Sequence, residues 1–251
     1  YDNLFKQYKT AFTFHPPLSL FTDKVKFEKM IFQKALAGDE CIVGLDVGST
    51  TTKAVILRIN DNAILASEYL RTNGNPLTAS KNCYISLNKQ ITEKINIIGL
   101  GVTGSGREIS GLHAQTDSII NEIIAHSTAT LFFDKEVDTI FEIGGQDAKY
   151  THITAGTASD YAMNEACSAG TGSFLEEAAG ETLNVDYLSI ADLALAAKNP
   201  PNFNDQCSAF ISSDIKNALH DGISTNDVLA GLVYSICLNY INRVKGNRPT
   251  G

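Results

Sequence analysis

Two similar patterns of apolar runs joined by a short turn organise the chain. In the first, a run over Ile42–Asp46 is followed by the small residues Gly48–Thr50 and by a second run over Ala54–Leu57. Short apolar runs on either side of turn residues predict a β-hairpin. The pattern predicts three more elements here, namely strands at Ile64–Leu70 and Ile95–Gly101 and a helix at Ser118–Phe133. This half of the chain is therefore predicted to be α/β.

A second hairpin pattern begins after residue 136. A run over Thr139–Ile143 leads into Gly144-Gly145 and returns over Lys149–Ile153. Helical spacing then predicts four helices, at Thr171–Leu183, Ser189–Ala197, Ser208–Leu219 and Asn226–Val244. We expect a linker or lead-in segment at residues 1–40, a first lobe at 41–135 and a second lobe at 136–251.

The composition is that of a globular protein and narrows the choice of partners. The 251 residues carry 20 Lys and Arg against 28 Asp and Glu, and the resulting net charge of -8 disfavours nucleic acid. There is no run of about 18 apolar residues and no leader pattern, so we expect neither a membrane span nor secretion and place the protein in the cytoplasm. Five scattered cysteines, an odd number, predict reduced thiols rather than a disulfide framework.

The first turn has the residue types that bind phosphate. Small residues allow backbone N–H groups to approach phosphate oxygens, and Asp46 can hold a hydrated magnesium ion. Hydroxyl side chains add donors at Ser49, Thr50 and Thr51. The same residues also suit an ordinary hairpin turn with a charge-compensating Lys53, and they do not match the P-loop pattern. From these residues alone, both interpretations stay open.

The second turn has the same form. Glu142–Lys149 again has an acidic residue, two glycines, a polar pair and a lysine between two strands. Here the chain resembles the actin-like ATPase superfamily, which also contains sugar and acetate kinases. In that superfamily each of two lobes contributes a phosphate hairpin to one nucleotide cleft. The resemblance implies an α/β, ribonuclease H-like, two-lobed ATPase fold that binds ATP or ADP with Mg²⁺.

The resemblance also implies roles for the turn residues. Asp46 and Asp147 would bind or position magnesium and its waters, and Gln146 would orient the attacking water. The phosphate contacts would come from Gly48, Ser49, Thr50, Thr51, Lys53, Gly144 and Gly145. A literal G-x-G-x-x-G at Gly99–Gly104 is not interpreted as a dinucleotide site, because a clear βαβ unit is missing around it.

Two cysteines lie shortly before predicted helices. Cys167 precedes a run of small residues and a helix, and Cys207 directly precedes the helix at Ser208. A helix N-terminus favours a thiolate, so both could bind an anionic cofactor. From the residues alone, buried small side chains or a catalytic thiol with a histidine partner stay open. The other three cysteines, Cys41, Cys83 and Cys237, lack this context.

The turns and cysteine segments together resemble the activator ATPases of 2-hydroxyacyl-CoA dehydratases and of ATP-dependent benzoyl-CoA reductase. The resemblance runs from about Ile42 to about Val244 and includes Thr103–Arg107. It implies that Cys167 and Cys207 supply two of the four thiolates of one [4Fe–4S] cluster, with a second copy or a tandem ATPase domain supplying the others. It also implies ATP-driven electron transfer from a reduced ferredoxin or flavodoxin-like donor to a dehydratase or reductase.

Some features depart from the small activators. Glu142 stands where most of them have aspartate, and Phe210–Asp214 is closer to relatives that carry two ATPase domains in one chain. The family continues past Val244 with a strand and a glycine-rich turn, so we expect a C-terminally truncated fold. Two other functions stay open: a small-molecule kinase with structural cysteines, and a noncatalytic nucleotide-binding regulatory module.

Overall fold

A computed structural model describes residues 10–27, 29–164, 171–205 and 208–251, and for residues 208 and 209 it describes the backbone. The chain divides into two compact units. We call one the sheet unit, which comprises Glu28–Asp138 and Ile153–Ser159. The other, the helical unit, comprises the segment that ends at Phe27 together with Thr139–His152 and Asp160–Gly251. The lobe limits at 41–135 and 136–251 stay a prediction.

Four strands form one sheet in the order β3-β2-β1-β4. The first three are an antiparallel meander, whereas β4 lies parallel to β1. A parallel neighbour needs a long crossover connection, and a helix lies between β3 and β4. The four predicted strands of this half are therefore present, as β1 (Glu40–Val47), β2 (Thr51–Arg58), β3 (Ile64–Arg71) and β4 (Asn96–Thr103).

Three helices accompany this sheet, namely α1 (Pro76–Gln90), α2 (Arg107–Ala114) and α3 (Glu122–Phe133). The sequence pattern did not predict α1, because its buried positions are mostly small residues with a weak apolar stripe. These positions are Ala79, Ser80, Cys83 and Leu87. Cys83 and Leu87 pack with the inward side chains of β1 and β2 to form the core of the sheet unit.

The start of α3 differs from the prediction. The helix begins at Glu122 rather than at Ser118, because the Asn121 side chain caps it by accepting the Ile123 N–H. The residues before the cap are extended, and Ile119 forms a parallel bridge with Val102 of β4. A segment with helical spacing is thus divided between a strand-like stretch and a helix.

The second hairpin carries a third strand that the sequence pattern did not predict. The order is β5-β6-β7, with β5 and β6 antiparallel. Ala155 and Gly156 join β6 to β7 with positive φ at both residues, which is the conformation of a type I′ hairpin turn. The strands are β5 (Thr139–Ile143), β6 (Ala148–Thr154) and β7 (Thr157–Met163).

Helices make up most of the helical unit, as predicted. Two of them continue into π-helical turns, at Ala178–Thr182 and at Tyr240–Lys245. Apolar faces of α6 and α7 pack around Phe203, and a second cluster lies between α5 and α7. The helices are α4 (Gly172–Glu177), α5 (Ile190–Leu195), α6 (Ser208–His220) and α7 (Thr225–Asn239). None of the described helices has both the length and the apolar character needed to cross a bilayer.

The described part of the lead-in segment makes specific contacts. Phe12 packs edge to face on Phe203 at 5.6 Å between ring centroids, and His15 stacks on Tyr234 at 4.2 Å. The Tyr234 hydroxyl donates to the Pro16 carbonyl over 2.8 Å. Residues 12–16 are therefore packed against the helices of this unit.

A second part of the lead-in segment is fixed to the sheet unit by Arg58 of β2. Its guanidinium donates to Asp39 over 3.0 Å and to the Lys34 carbonyl over 3.3 Å. The same guanidinium pairs with Asp61 over 2.8 Å. The pKa of Asp39 is lowered by the hydrogen bond from the Leu36 N–H and by Arg58. Residues 33–39 are therefore fixed beside the sheet.

Candidate functional site: two glycine turns with one geometry

The first turn, Gly48–Thr51, joins β1 to β2. The Gly48 N–H donates to the Thr51 carbonyl over 2.9 Å, which closes the turn. A Cβ at position 48 would lie 2.9 Å from that carbonyl oxygen, so only glycine fits here without a shift. Ser49 and Thr50 are the two residues inside the turn. The predicted phosphate-binding residues Gly48 to Thr51 thus lie on one closed loop, and Lys53 lies two residues further along on β2.

Three polar side chains form a row across the sheet beside the first turn. Asp46 is the register partner of Lys53 on β2 and of Thr103 on β4, so the three project from the same face. Lys53 Nζ lies 3.0 Å from Asp46 Oδ2. Thr103 Oγ1 is buried and has no hydrogen-bond partner among the described residues. A hydroxyl without a partner beside a carboxylate suits a hydrated cation, because both provide the oxygen ligands that Mg²⁺ prefers.

The loop after β4 packs tightly on the end of β1. Gly104 has a φ of +90°, and a Cβ there would lie 2.5 Å from Asp46 Oδ1. The Gly106 N–H donates to the Val47 carbonyl over 2.8 Å. In the sequence, only the resemblance to the activator ATPases indicated that this loop belongs to the site. Its contact with Asp46 required the parallel pairing of β4 with β1, which no local pattern indicates.

Thr72, directly after β3, holds the first turn from inside the sheet unit. Its hydroxyl donates to the Gly48 carbonyl over 2.8 Å, and its N–H donates to the Thr50 carbonyl over 2.9 Å. Thr52 Oγ1 lies 2.9 Å from Thr72 Oγ1. Both threonines are buried. Sequence reasoning missed Thr72, because a single threonine at a strand end has no distinctive pattern.

The second turn, Gly144–Asp147, repeats the first position by position. The Gly144 N–H donates to the Asp147 carbonyl over 2.8 Å, and a Cβ at position 144 would lie 2.8 Å from that oxygen. Glu142 and Lys149 are cross-strand partners, and their charged atoms lie 3.2 Å apart. The acidic residue stands two before the glycine and the lysine five after it, as in the first hairpin. Gln146 and Asp147, the predicted catalytic residues, lie on this turn.

Bonds from two places in the chain hold the second turn. The Gly172 N–H donates to the Gly144 carbonyl over 2.9 Å, and the Ser173 N–H donates to the Gly145 carbonyl over 2.8 Å. Asn164, directly after β7, donates from its side-chain amide to the Gln146 carbonyl over 3.3 Å. The Asn164 side-chain oxygen accepts the Ala148 N–H over 2.9 Å. The turn is therefore bonded to residues on both sides of segment 165–170.

Comparison with known families decides the class of the protein. Residues 43–247 match the BadF/BadG/BcrA/BcrD ATPase family, which is most of the chain. The chain belongs to this family. The family resemblance drawn from the turns and cysteine segments is thereby confirmed, and so is the prediction of an ATPase.

Individual relatives of this ATPase agree with that assignment. The 2-hydroxyisocaproyl-CoA dehydratase activator of Clostridioides difficile is 30% identical over 204 residues, which cover 81% of this chain and 75% of that protein. Component A of (R)-2-hydroxyglutaryl-CoA dehydratase from Acidaminococcus fermentans superposes with a TM-score of 0.75 at 26% identity, covering 84% of this chain and 80% of that one.

A third comparison concerns a nucleotide complex. The activator of 2-hydroxyisocaproyl-CoA dehydratase from Clostridium difficile, solved with bound ADPNP, superposes with a TM-score of 0.71 at 29% identity. The superposition covers 80% of this chain and 75% of the activator chain. The predicted α/β actin-like fold is confirmed by these structural likenesses.

The predicted cluster ligands of this family member, Cys167 and Cys207, lie outside the described residues. Their neighbours are described: α6 begins at Ser208, directly after Cys207, and α4 begins at Gly172. Within the described ranges, no group of three or more His, Cys, Asp or Glu is arranged to hold a metal ion. The assignment of the two cysteines therefore stays a prediction.

The three described cysteines of this ATPase are poor candidates for iron ligands. Cys41 and Cys83 are fully buried, and desolvation raises the pKa of both thiols, to about 11 for Cys83. Desolvation also raises the pKa of Cys237 on α7. Iron binding requires the thiolate, which these environments disfavour at neutral pH. That these three cysteines are not cluster ligands stays a prediction.

Proposed function

We propose that the protein is an ATP-hydrolysing activator that couples nucleotide turnover to electron transfer towards a 2-hydroxyacyl-CoA dehydratase-like or related reductase partner. The observation that carries the proposal is the repeated turn geometry, in a chain that belongs to an ATPase family and whose relatives are named dehydratase activators. Each turn closes through the same glycine N–H bond and has the same acid–lysine pair beside it.

The two turns would bind the phosphates of MgATP or MgADP. Asp46 would hold magnesium through its water ligands, with the unpartnered hydroxyl of Thr103 beside it. Asp147 would position the ion from the second turn, and Gln146 would orient the attacking water. Phosphate contacts would come from the turn residues and Lys53, namely Gly48, Ser49, Thr50, Thr51, Gly144 and Gly145.

Cys167 and Cys207 would supply two thiolates to a [4Fe–4S] cluster. The donor chemistry fits, because such clusters are held by four cysteine thiolates and α6 begins directly after Cys207. The cluster would supply one-electron transfer when bound. Since one chain offers two such thiolates, a second copy or a tandem ATPase domain would complete the set.

The remaining parts of the proposal concern partners. A reduced ferredoxin or flavodoxin-like protein would supply electrons, and a dehydratase or reductase would accept them. ATP hydrolysis would change the angle between the lobes and thereby make the transfer favourable. The acidic composition and the reduced thiols suit a cytoplasmic setting.

Iron and acid-labile sulfide in anaerobically purified protein test the cluster. We expect both to be lost in Cys167→Ala and in Cys207→Ala, whereas Cys237→Ala, at an exposed cysteine that belongs to neither motif, keeps them. Unchanged iron in both motif variants would rule out the cluster assignment. Substrate-dependent ADP formation without iron would instead support a kinase, and MgATP binding without hydrolysis would support a regulatory module.

A further inference from the structure

We infer that Thr72 is the positioning residue of the first turn: its buried hydroxyl fixes the peptide groups that face the phosphates. The inference rests on the proposed binding of MgATP at this turn. Thr72 is 4% exposed and touches the turn twice, through its hydroxyl at the Gly48 carbonyl and its N–H at the Thr50 carbonyl. The residue carries no charge and belongs to no recognised motif.

The hydrogen atoms in this contact can be assigned from the donor count. A hydroxyl has one hydrogen, and the Gly48 carbonyl can only accept. Thr72 therefore donates to Gly48, and Thr52 must donate to Thr72 across their 2.9 Å separation. The result is a directed chain from Thr52 through Thr72 to the turn. Because both threonines are buried, water cannot easily replace a lost member of the chain.

The consequence for the turn follows from peptide geometry. In a trans peptide the C=O and the N–H point in opposite directions, and no peptide bond in the described structure is cis. With the Gly48 carbonyl directed at Thr72, the Ser49 N–H points away from it. That N–H donates to no acceptor in the described part of the chain. The bond to the Thr50 carbonyl orients the Thr51 N–H in the same way. Thr72 thus holds the Ser49 N–H ready for an anion, which lowers the cost of ordering the turn on binding.

The second hairpin offers an independent parallel. Asn164 directly follows β7 as Thr72 directly follows β3, and its side-chain amide donates to the Gln146 carbonyl. Gln146 holds the position in the second turn that Thr50 holds in the first. Two different side chains at the same place in the repeat therefore bond to turn carbonyls. This agreement indicates that the two side chains orient the turns, and that Thr72 does more than pack within the sheet unit.

The test compares MgATP affinity with thermal stability. Thr72→Val removes the hydroxyl at nearly constant volume and should weaken MgATP binding, measured by calorimetry, about five- to tenfold. Thr72→Ser keeps the hydroxyl and should stay within about twofold of the unaltered protein. The matched control is Thr116→Val, since the Thr116 hydroxyl donates to the Leu100 carbonyl over 2.6 Å in the same unit. It should lower the melting temperature comparably without changing MgATP affinity.

The outcomes separate this inference from the proposed function. Equal affinity in Thr72→Val and the unaltered protein overturns the inference, and so does an equal loss in Thr116→Val. If Thr72→Val does not fold, Thr52→Val decides: it removes the donor to Thr72 and should weaken binding about twofold to threefold, so an unchanged affinity overturns the inference. Failure of the unaltered protein to bind MgATP overturns the proposed function itself.

Discussion

The two turns share a closing bond and an acid–lysine pair, but they are held in place by different parts of the chain. Thr72, in the interior of the sheet unit, holds the first turn. The second turn is bonded to Asn164 on one side of segment 165–170 and to Gly172 and Ser173 on the other. The first turn is therefore fixed to a core, whereas the second is fixed to the flanks of the segment that contains Cys167.

This difference suggests a division of tasks under the proposed function. A turn held by a buried side chain keeps one conformation and suits the anchoring of a phosphate. A turn bonded to both flanks of the Cys167 segment transfers any displacement of its own to that segment. Under the proposed function, the first turn would hold phosphate in a fixed position, and a phosphate bound at the second turn would act on the residues that flank the Cys167 segment.

The largest expected difference concerns the two lysines. The Lys149 side chain is 5% exposed and pairs with Glu142, whereas the Lys53 side chain is 39% exposed. Lys149→Met keeps the apolar stem but removes a nearly fully buried ammonium from its pair with Glu142, which should cost about 2–3 kcal/mol of unfolding free energy. Lys53→Met should cost less than about 1 kcal/mol, because its pair is partly solvated. Urea denaturation of both variants measures the difference.

Equal losses in the two lysine variants would contradict this distinction between the hairpins. Glu142→Gln in the Lys149→Met background provides the control, since it removes the carboxylate left behind. It should recover part of the lost stability. If the double variant is no more stable than Lys149→Met, the loss comes from packing rather than from the broken ion pair.

Sequence reasoning located both turns and their lysines because the residues of a hairpin turn are local. The contact of Gly104 with Asp46 was missed, since it depends on parallel pairing between strand positions 56 to 57 residues apart in sequence. Thr72 and Asn164 were missed for a similar reason: each acts through one hydrogen bond across the fold. Helix α1 was missed because it packs through small residues. Local sequence patterns predict helices and strands, whereas the hydrogen bonds between these elements can be located only in the folded structure.

A smaller effect is expected from Tyr240, which supports the second hairpin. Its hydroxyl donates to the Lys149 carbonyl over 2.6 Å, and desolvation raises its pKa to about 12. Tyr240→Phe should therefore cost about 1 kcal/mol of unfolding free energy at neutral pH. Tyr69→Phe is the control, because Tyr69 is exposed beside Lys53 of the first hairpin and should have no measurable effect.

The same tyrosine gives a pH dependence with a definite sign. A pKa raised on folding means that the neutral hydroxyl stabilises the native state, fully so below the ordinary tyrosine pKa of about 10. This contribution is lost as the pH rises from about 10 towards 12. Denaturation curves across that range should show a steeper fall for the unaltered protein than for Tyr240→Phe. Parallel curves would show that Tyr240 does not titrate with folding.

The smallest effect tests the link between the second turn and α4. A Cβ at Gly172 would lie 3.3 Å from the Gly144 carbonyl oxygen, so Gly172→Ala should lengthen the bond to that oxygen and weaken MgATP binding about threefold. Gly180→Ala is the matched control, because a Cβ there meets nothing within 4 Å and the substitution should leave affinity unchanged. Calorimetry on both variants measures this. Unchanged affinity in Gly172→Ala would show that this bond does not hold the second turn for the nucleotide, and the division of tasks between the turns would then be wrong.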